Sequence, residues 1–201
     1  MKMSIAVVGL AVASSLATAG SFNDHAAYLS ASTNNTVINF DFDSNGREIA
    51  SGTFLGNLYA ADGVVFGGGG YAASGSGPVS SPNVWVDDTL DGGDRVFTAF
   101  ITAPGITAVG MFNALFSSGD YTILTAFDAG DNVIGTVAAD NIGGTKDFFG
   151  VTTATAISRI EVRLGNPGGW ALDDLHLGQA VPAPGAAAVA AVGLLSLRRR
   201  R

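Results

Sequence analysis

The sequence has no cysteine, only two histidines and, between its ends, very little positive charge. Without cysteine there is neither a disulfide framework nor a thiolate metal site, so a hydrophobic core must hold the fold. His25 and His176 are the only imidazoles, and no Gly-x-Ser-x-Gly elbow occurs. Histidine-assisted nucleophilic hydrolysis therefore lacks its usual parts. Glu48 and Glu161 are the only glutamates, which leaves glycoside hydrolysis to aspartates that no motif singles out. Glu161 alternates with Ile160 and Val162 and reads as an outward strand residue. His25, close to the amino end, reads as solvated. His176 stands between Leu175 and Leu177, points to the opposite face from them, and reads as a surface side chain. The glycines at 67–70 lack the spaced Gly-x-Gly-x-x-Gly pattern and precede no helix, which excludes a nucleotide site. No enzymatic activity is expected.

What is present is concentrated at the two ends. Lys2, an apolar stretch from Ser4 to Leu16, and Ala17-Thr18-Ala19 have the three-part layout of a secretory signal. Residues 1–19 are expected to be removed by signal peptidase, with an uncleaved anchor as the alternative. At the other end, Val181-Pro182-Ala183-Pro184-Gly185 leads into an Ala/Val/Leu-rich stretch and then Arg198-Arg199-Arg200-Arg201. The prolines break any incoming helix. The apolar run over 181–197 falls short of the ~20 residues that span a bilayer, and the arginines would hold the cytoplasmic side. Such a segment suits a transient stop during export. The order of proline motif, short apolar helix and terminal arginines resembles the PEP-CTERM sorting signal, with Ala183 where the family name has Glu. An ordinary C-terminal membrane tail is the alternative. The resemblance implies export to the cell surface, outer envelope or extracellular matrix. It also implies a tail (181–201) passing through the inner membrane and processing by an exosortase-type protease.

Residues 20–180 remain as one domain-sized segment. It keeps five basic residues, Arg47, Arg95, Lys146, Arg159 and Arg163, against all seventeen acidic ones. That surplus of negative charge argues against nucleic acid and anionic lipid as partners. Glycine, 28 residues of the chain, runs at about twice its usual ~7% and clusters where turns are expected.

Short β-branched and aromatic runs separated by turn residues predict antiparallel strands. They are expected at 36–42, 64–66, 84–86, 95–102, 107–112, 121–127, 133–138, 148–152, 157–164 and 171–177. Residues 128–132 read as a hairpin connection, and 74–82 as a long loop. No segment of this region has a convincing helical period. The expected fold is all-β, a single antiparallel β-sandwich of jelly-roll type. Phe148-Phe149-Gly150-Val151-Thr152, Ile157 to Val162 and Trp170 to Leu175 resemble the jelly rolls of PEP-CTERM-anchored proteins. Those are similar to galactose-binding or carbohydrate-binding modules.

Two kinds of site are candidates. Asp41-Phe42-Asp43-Ser44-Asn45-Gly46 matches the first positions of an oxygen-rich calcium loop, although Gly52 stands where a bidentate glutamate belongs. A plain turn at 43–46 explains the same residues. The jelly-roll resemblance implies a rival calcium tie from Asp41 or Asp43 to Asp173 or Asp174, and Asp87, Asp88, Asp91 and Asp94 form a further acidic cluster. Sugar binding needs aromatic faces beside polar groups. Tyr71, Trp85 and Trp170 all adjoin Gly- or Asp-rich loops, and the two tryptophans could equally fill the core. Three functions stand in order: a non-catalytic surface module binding extracellular polysaccharide, a matrix protein without a specific ligand, and last an enzyme.

Overall fold

The computed structural model describes residues 19–68, 70–74, 79–86, 95–115, 121–139, 147–165 and 171–182. Residues 19–181 of these belong to one compact unit. The remainder of the signal and tail segments, with Pro184, Gly185 and Arg198–Arg201, lies outside the described residues. So do Trp170 and the acidic cluster at 87–94.

Twelve strands are described: β1 (Gly20–Phe22), β2 (Ser32–Ile38), β3 (Val64–Gly67), β4 (Tyr71–Ser74), β5 (Asn83–Val86), β6 (Arg95–Ile101), β7 (Ala108–Leu115), β8 (Tyr121–Phe127), β9 (Val133–Ala138), β10 (Asp147–Thr152), β11 (Arg159–Gly165) and β12 (Ala171–Ala180). One sheet runs β1-β10-β7-β12-β5-β4, with β2 also on β12; the other runs β3-β6-β11-β8-β9. Every pairing is antiparallel.

The last eight strands are a jelly roll. β8 pairs with β9, β7 with β10, β6 with β11 and β5 with β12. This nesting is that of one long ribbon doubled at the 128–132 turn and rolled so that alternate rungs fall in opposite sheets. The turn closes through Asp128, whose Oδ1 accepts from the backbone N–H of Gly130 and Asn132. Asp131 there takes φ +59°, a conformation Asp tolerates better than most residues.

Between the sheets lies a core that includes Phe40, Leu55, Trp85, Phe97, Met111, Leu124, Phe149, Ile160, Leu172 and Leu175. Period-2 alternation puts Phe97, Leu124 and Ile160 inward on their strands. Trp85 is 1% exposed and stands edge-on to Phe97 at 4.7 Å. Gly70 makes room for it, because a Cβ there would lie 1.9 Å from the indole Nε1.

Outside the jelly roll, the amino-terminal segment covers the outer face of the first sheet. A short helix, α1 (His25–Ala31), is capped by Asp24, whose carboxylate accepts from Ala27 N–H at 2.7 Å. His25 and Tyr28, one turn apart, share its inward side. Tyr28 packs with Phe148 and Ala108 in a second apolar cluster flanked by Phe22 and Phe112. No helix was expected here: at seven residues, α1 is too short to display a period.

Candidate functional site

β12 carries a bulge that organises the polar residues around it. Asp173 pairs with Phe112 and His176 with Gly110, so two residues on β12, Asp174 and Leu175, oppose the single Met111 on β7. The extra residue, Asp174, takes φ +46°. An odd spacing would normally send Asp173 and His176 to opposite faces. The bulge brings both to the outer face, while Leu172, Leu175 and Leu177 stay in the core.

Asp173 is fully buried and its carboxylate holds the segment 79–83. Oδ2 accepts from the N–H groups of Val79 (2.6 Å) and Ser80 (3.0 Å); Oδ1 accepts from Asp174 N–H (2.8 Å) and Ser80 Oγ (3.3 Å). Burial, together with the neighbouring Asp174 charge, pushes the Asp173 carboxyl up to about 7 against the pull of these donors. Ser80 Oγ also lies 3.3 Å from the Asn39 carbonyl. Further along the segment, Asn83 N–H donates to Asp41 Oδ1 at 2.7 Å, and its Nδ2 donates to the carbonyls of Ile49 and Phe40. Burial raises the Asp41 carboxyl above the usual range. Asp41 and Asp173 thus both hold the 79–83 segment by hydrogen bonds.

The Asp41–Gly46 segment is a tight turn. Phe42 bridges to Glu48, and Asp43 Oδ1 accepts from the N–H groups of Asn45 and Arg47. Those bonds, the Arg47 one foremost, hold the Asp43 carboxyl below its ordinary range. Gly46 takes φ +73°, the freedom its position requires. Among the described residues no group of three or more His, Cys, Asp or Glu side chains is placed to hold a metal ion.

Beside this turn is a cleft of ≈ 280 Å³ whose lining includes Asn39, Phe42, Asp43, Ser44, Tyr59 and Asp62. Sequence reading expects one strand over 36–42, which would put Phe40 and Phe42 on the same face. Instead β2 ends at Ile38, and Phe40 takes φ +62°. Such a conformation costs about 1–3 kcal/mol and is offset here by burial of the Phe40 ring against Tyr59 and Phe66. Alternation is broken: Phe40 and Asp41 are both buried, and Phe42 is 49% exposed at the cleft. Ser44 Oγ lies 2.6 Å from Asp62 Oδ2 and 2.8 Å from the Leu58 carbonyl, donating to one or the other. The Tyr59 hydroxyl is buried without a hydrogen-bond partner. Burial first, and then the charges of Asp41, Asp62 and Asp43, raise its pKa well above the ordinary phenol value.

Of the aromatic candidates, Trp85 is a core residue with no face for a ligand. Tyr71 is partly exposed, bridging to Phe54, which is itself 60% exposed; it does not line the cleft. Asn45 is exposed in its turn and Asp174 is half-buried at the bulge. Val181 is 42% exposed and donates its N–H to Ala31 O at 2.8 Å; Pro182 is exposed. The cleft residues Phe42, Ser44, Tyr59 and Asp62 carry no motif that would have singled them out as ligand contacts.

Both histidines depart from the sequence expectation. His176 is 5% exposed, because α1 covers the face to which it points. His25 is half-buried, its ring 4.8 Å from His176, 5.0 Å from Phe112 and 4.8 Å from Phe148. Burial, with His25 beside it, depresses the His176 pKa to about 4.

Comparison with known proteins finds no matching family model, no matching curated protein and no matching solved structure. Among the described residues no helix is long and apolar enough to cross a membrane.

Proposed function

We propose that this chain is an exported, surface-sorted, non-catalytic module whose β-sandwich binds extracellular polysaccharide through the cleft beside β2. The observation that carries the binding part is an exposed aromatic ring, Phe42, set in one cleft with Asp43, Ser44 and Asp62. A sugar ring presents C–H groups on one face and hydroxyls around its edge. It can stack on an aromatic side chain while carboxylates accept its hydroxyl protons. Ligand pockets run from about 300 to 1,000 Å³, so this cleft suits a single sugar unit, such as a chain end or one exposed residue.

Export and sorting rest on the end segments: the signal layout over 1–19 and the Val181-Pro182-x-Pro184-Gly185, apolar, Arg198–Arg201 order. Signal peptidase and an exosortase-type protease are the partners they imply. Calcium enters as a structural ion at the same end, held by Asp41, Asp43 and Asn45, with Asp173 and Asp174 as the rival ligands. These carboxylates are not set out as a ligand shell, so an ion would have to draw them together. Equal melting temperatures in millimolar calcium and in EDTA would remove calcium from the proposal.

A glycan array probed with and without calcium tests the binding role. Reproducible binding to one sugar class, lost in Phe42→Ala, supports it. The second reading, a matrix protein without a specific ligand, is favoured by the burial of Trp85. Silence on the array in both conditions would move the assignment there.

A further inference from the structure

His25 and His176 lie 151 positions apart in the sequence and are its only histidines. The fold nevertheless puts their rings 4.8 Å apart, inclined at 65°. His25 Nε2 and His176 Nδ1 are both buried with no hydrogen-bond partner. Leaving an imidazole nitrogen dry and unpaired costs roughly 1–3 kcal/mol, and here it happens twice in one place. The rings of Tyr28, Phe112 and Phe148 pack around the pair. Both unpaired ring nitrogens thus belong to one aromatic cluster.

We propose that His25 and His176 form a two-imidazole site for a divalent transition-metal ion. An ion bound by both nitrogens at ~2.0–2.1 Å would sit ~3.2 Å from each ring centre, and rings 4.8 Å apart would then subtend about 95–100° at it. That is the angle between neighbouring positions of a square-planar or tetrahedral ion. Neutral imidazole selects copper, nickel and zinc over calcium and magnesium, and Cu²⁺ binds tightest in the divalent series. His25 is only half-buried, which gives the ion its entry and lets water complete the coordination. The aromatic surround acts as the apolar outer shell of such a site. An ion there joins α1 to β12, and so clasps the two ends of the described chain where Val181 N–H already bonds to Ala31 O.

The test uses the full chain without an affinity tag, titrated with Cu²⁺ and read by pulsed electron paramagnetic resonance. The expected result is one ion per chain whose spectrum carries two imidazole nitrogens, with binding weakened roughly tenfold or more in His25→Ala. His25 is partly exposed, so that variant keeps the fold even if His176→Ala does not. Zn²⁺ is expected to raise the melting temperature of the wild type and leave that of His25→Ala unchanged. No uptake of Cu²⁺, a one-imidazole spectrum, or wild-type affinity in His25→Ala would overturn the proposal.

Discussion

Asp173 and His176 stand on the same strand and the same face, both buried, and the fold treats them in opposite ways. Asp173 has a donor for every lone pair it can readily use, drawn from three different residues. His176 has no partner for its buried Nδ1. The charge that each can carry explains the difference. A buried carboxylate is tolerable only when backbone and hydroxyl donors replace its water, and the 79–83 segment is folded over Asp173 to supply them. A buried imidazole can stay neutral at little cost, so aromatic rings suffice to enclose it. One residue is a fixed staple, and the other is an open valence.

The comparison breaks most severely at Asp173. Asp173→Ala strands the N–H groups of Val79 and Ser80, and chemical denaturation is expected to show a loss of about 3–4 kcal/mol. Asp173→Asn keeps the shape and some acceptance and is expected to lose about half as much. If Asp173→Ala costs less than about 1 kcal/mol, the segment is held by something else.

Acidity sharpens the contrast, because the two shifts act with opposite sign in one window. The His176 pKa is depressed to about 4 from an ordinary 6.5. Its contribution is present above 6.5 and lost as pH falls toward 4. The Asp173 pKa is raised to about 7 from an ordinary 3.8, so its contribution is fullest below 3.8 and lost as pH rises toward 7. Each amounts to roughly 3–4 kcal/mol across its window. The wild type is therefore expected to be nearly flat between pH 4 and 6.5. In EDTA, to keep the histidines metal-free, Asp173→Asn is expected to lose stability on acidification and His176→Leu to gain it. Parallel slopes in the two variants would contradict the opposed pair.

Both residues bear on what could be read from the sequence. From residue 95 onward the strands are legible because alternation, β-branched content and turn residues agree: 121–127 and 133–138 coincide with β8 and β9. The jelly roll follows from such elements because the nested pairing needs only the chain order. What was not legible is set by single backbone angles and by coverage from afar. Phe40 at φ +62° breaks the alternation that would have hidden Phe42, and no residue type announces that break. The bulge at Asp174 changes the partners of Asp173 without changing the composition of β12. His176 points outward, as its flanking leucines require, and yet is buried, because a seven-residue helix some 150 positions earlier lies over it. Helix and strand patterns are local; which outward face gets covered is not.

His176→Leu at neutral pH gives a smaller effect of the opposite sense to Asp173→Ala. Replacing an unpartnered imidazole by an apolar side chain removes a desolvated nitrogen, at the cost of some shape mismatch. The expected change is a gain of up to about 1 kcal/mol in EDTA. A loss greater than about 1 kcal/mol would mean that His176 has a partner in solution and is no open valence.

The smallest stability effect is expected at the cleft. Phe42 is 49% exposed and outside the main core, so Phe42→Ala should change unfolding free energy by no more than about 0.5 kcal/mol. Its ring remains in water although the Phe40 ring, two residues earlier, is buried at the expense of backbone strain. A side chain exposed at no gain to the fold is one whose removal should be read in binding. Loss of glycan binding with unchanged stability would separate the cleft from the scaffold. A variant that loses stability as well would place Phe42 in the packing of the 41–49 turn, and the cleft would then need a different aromatic contact.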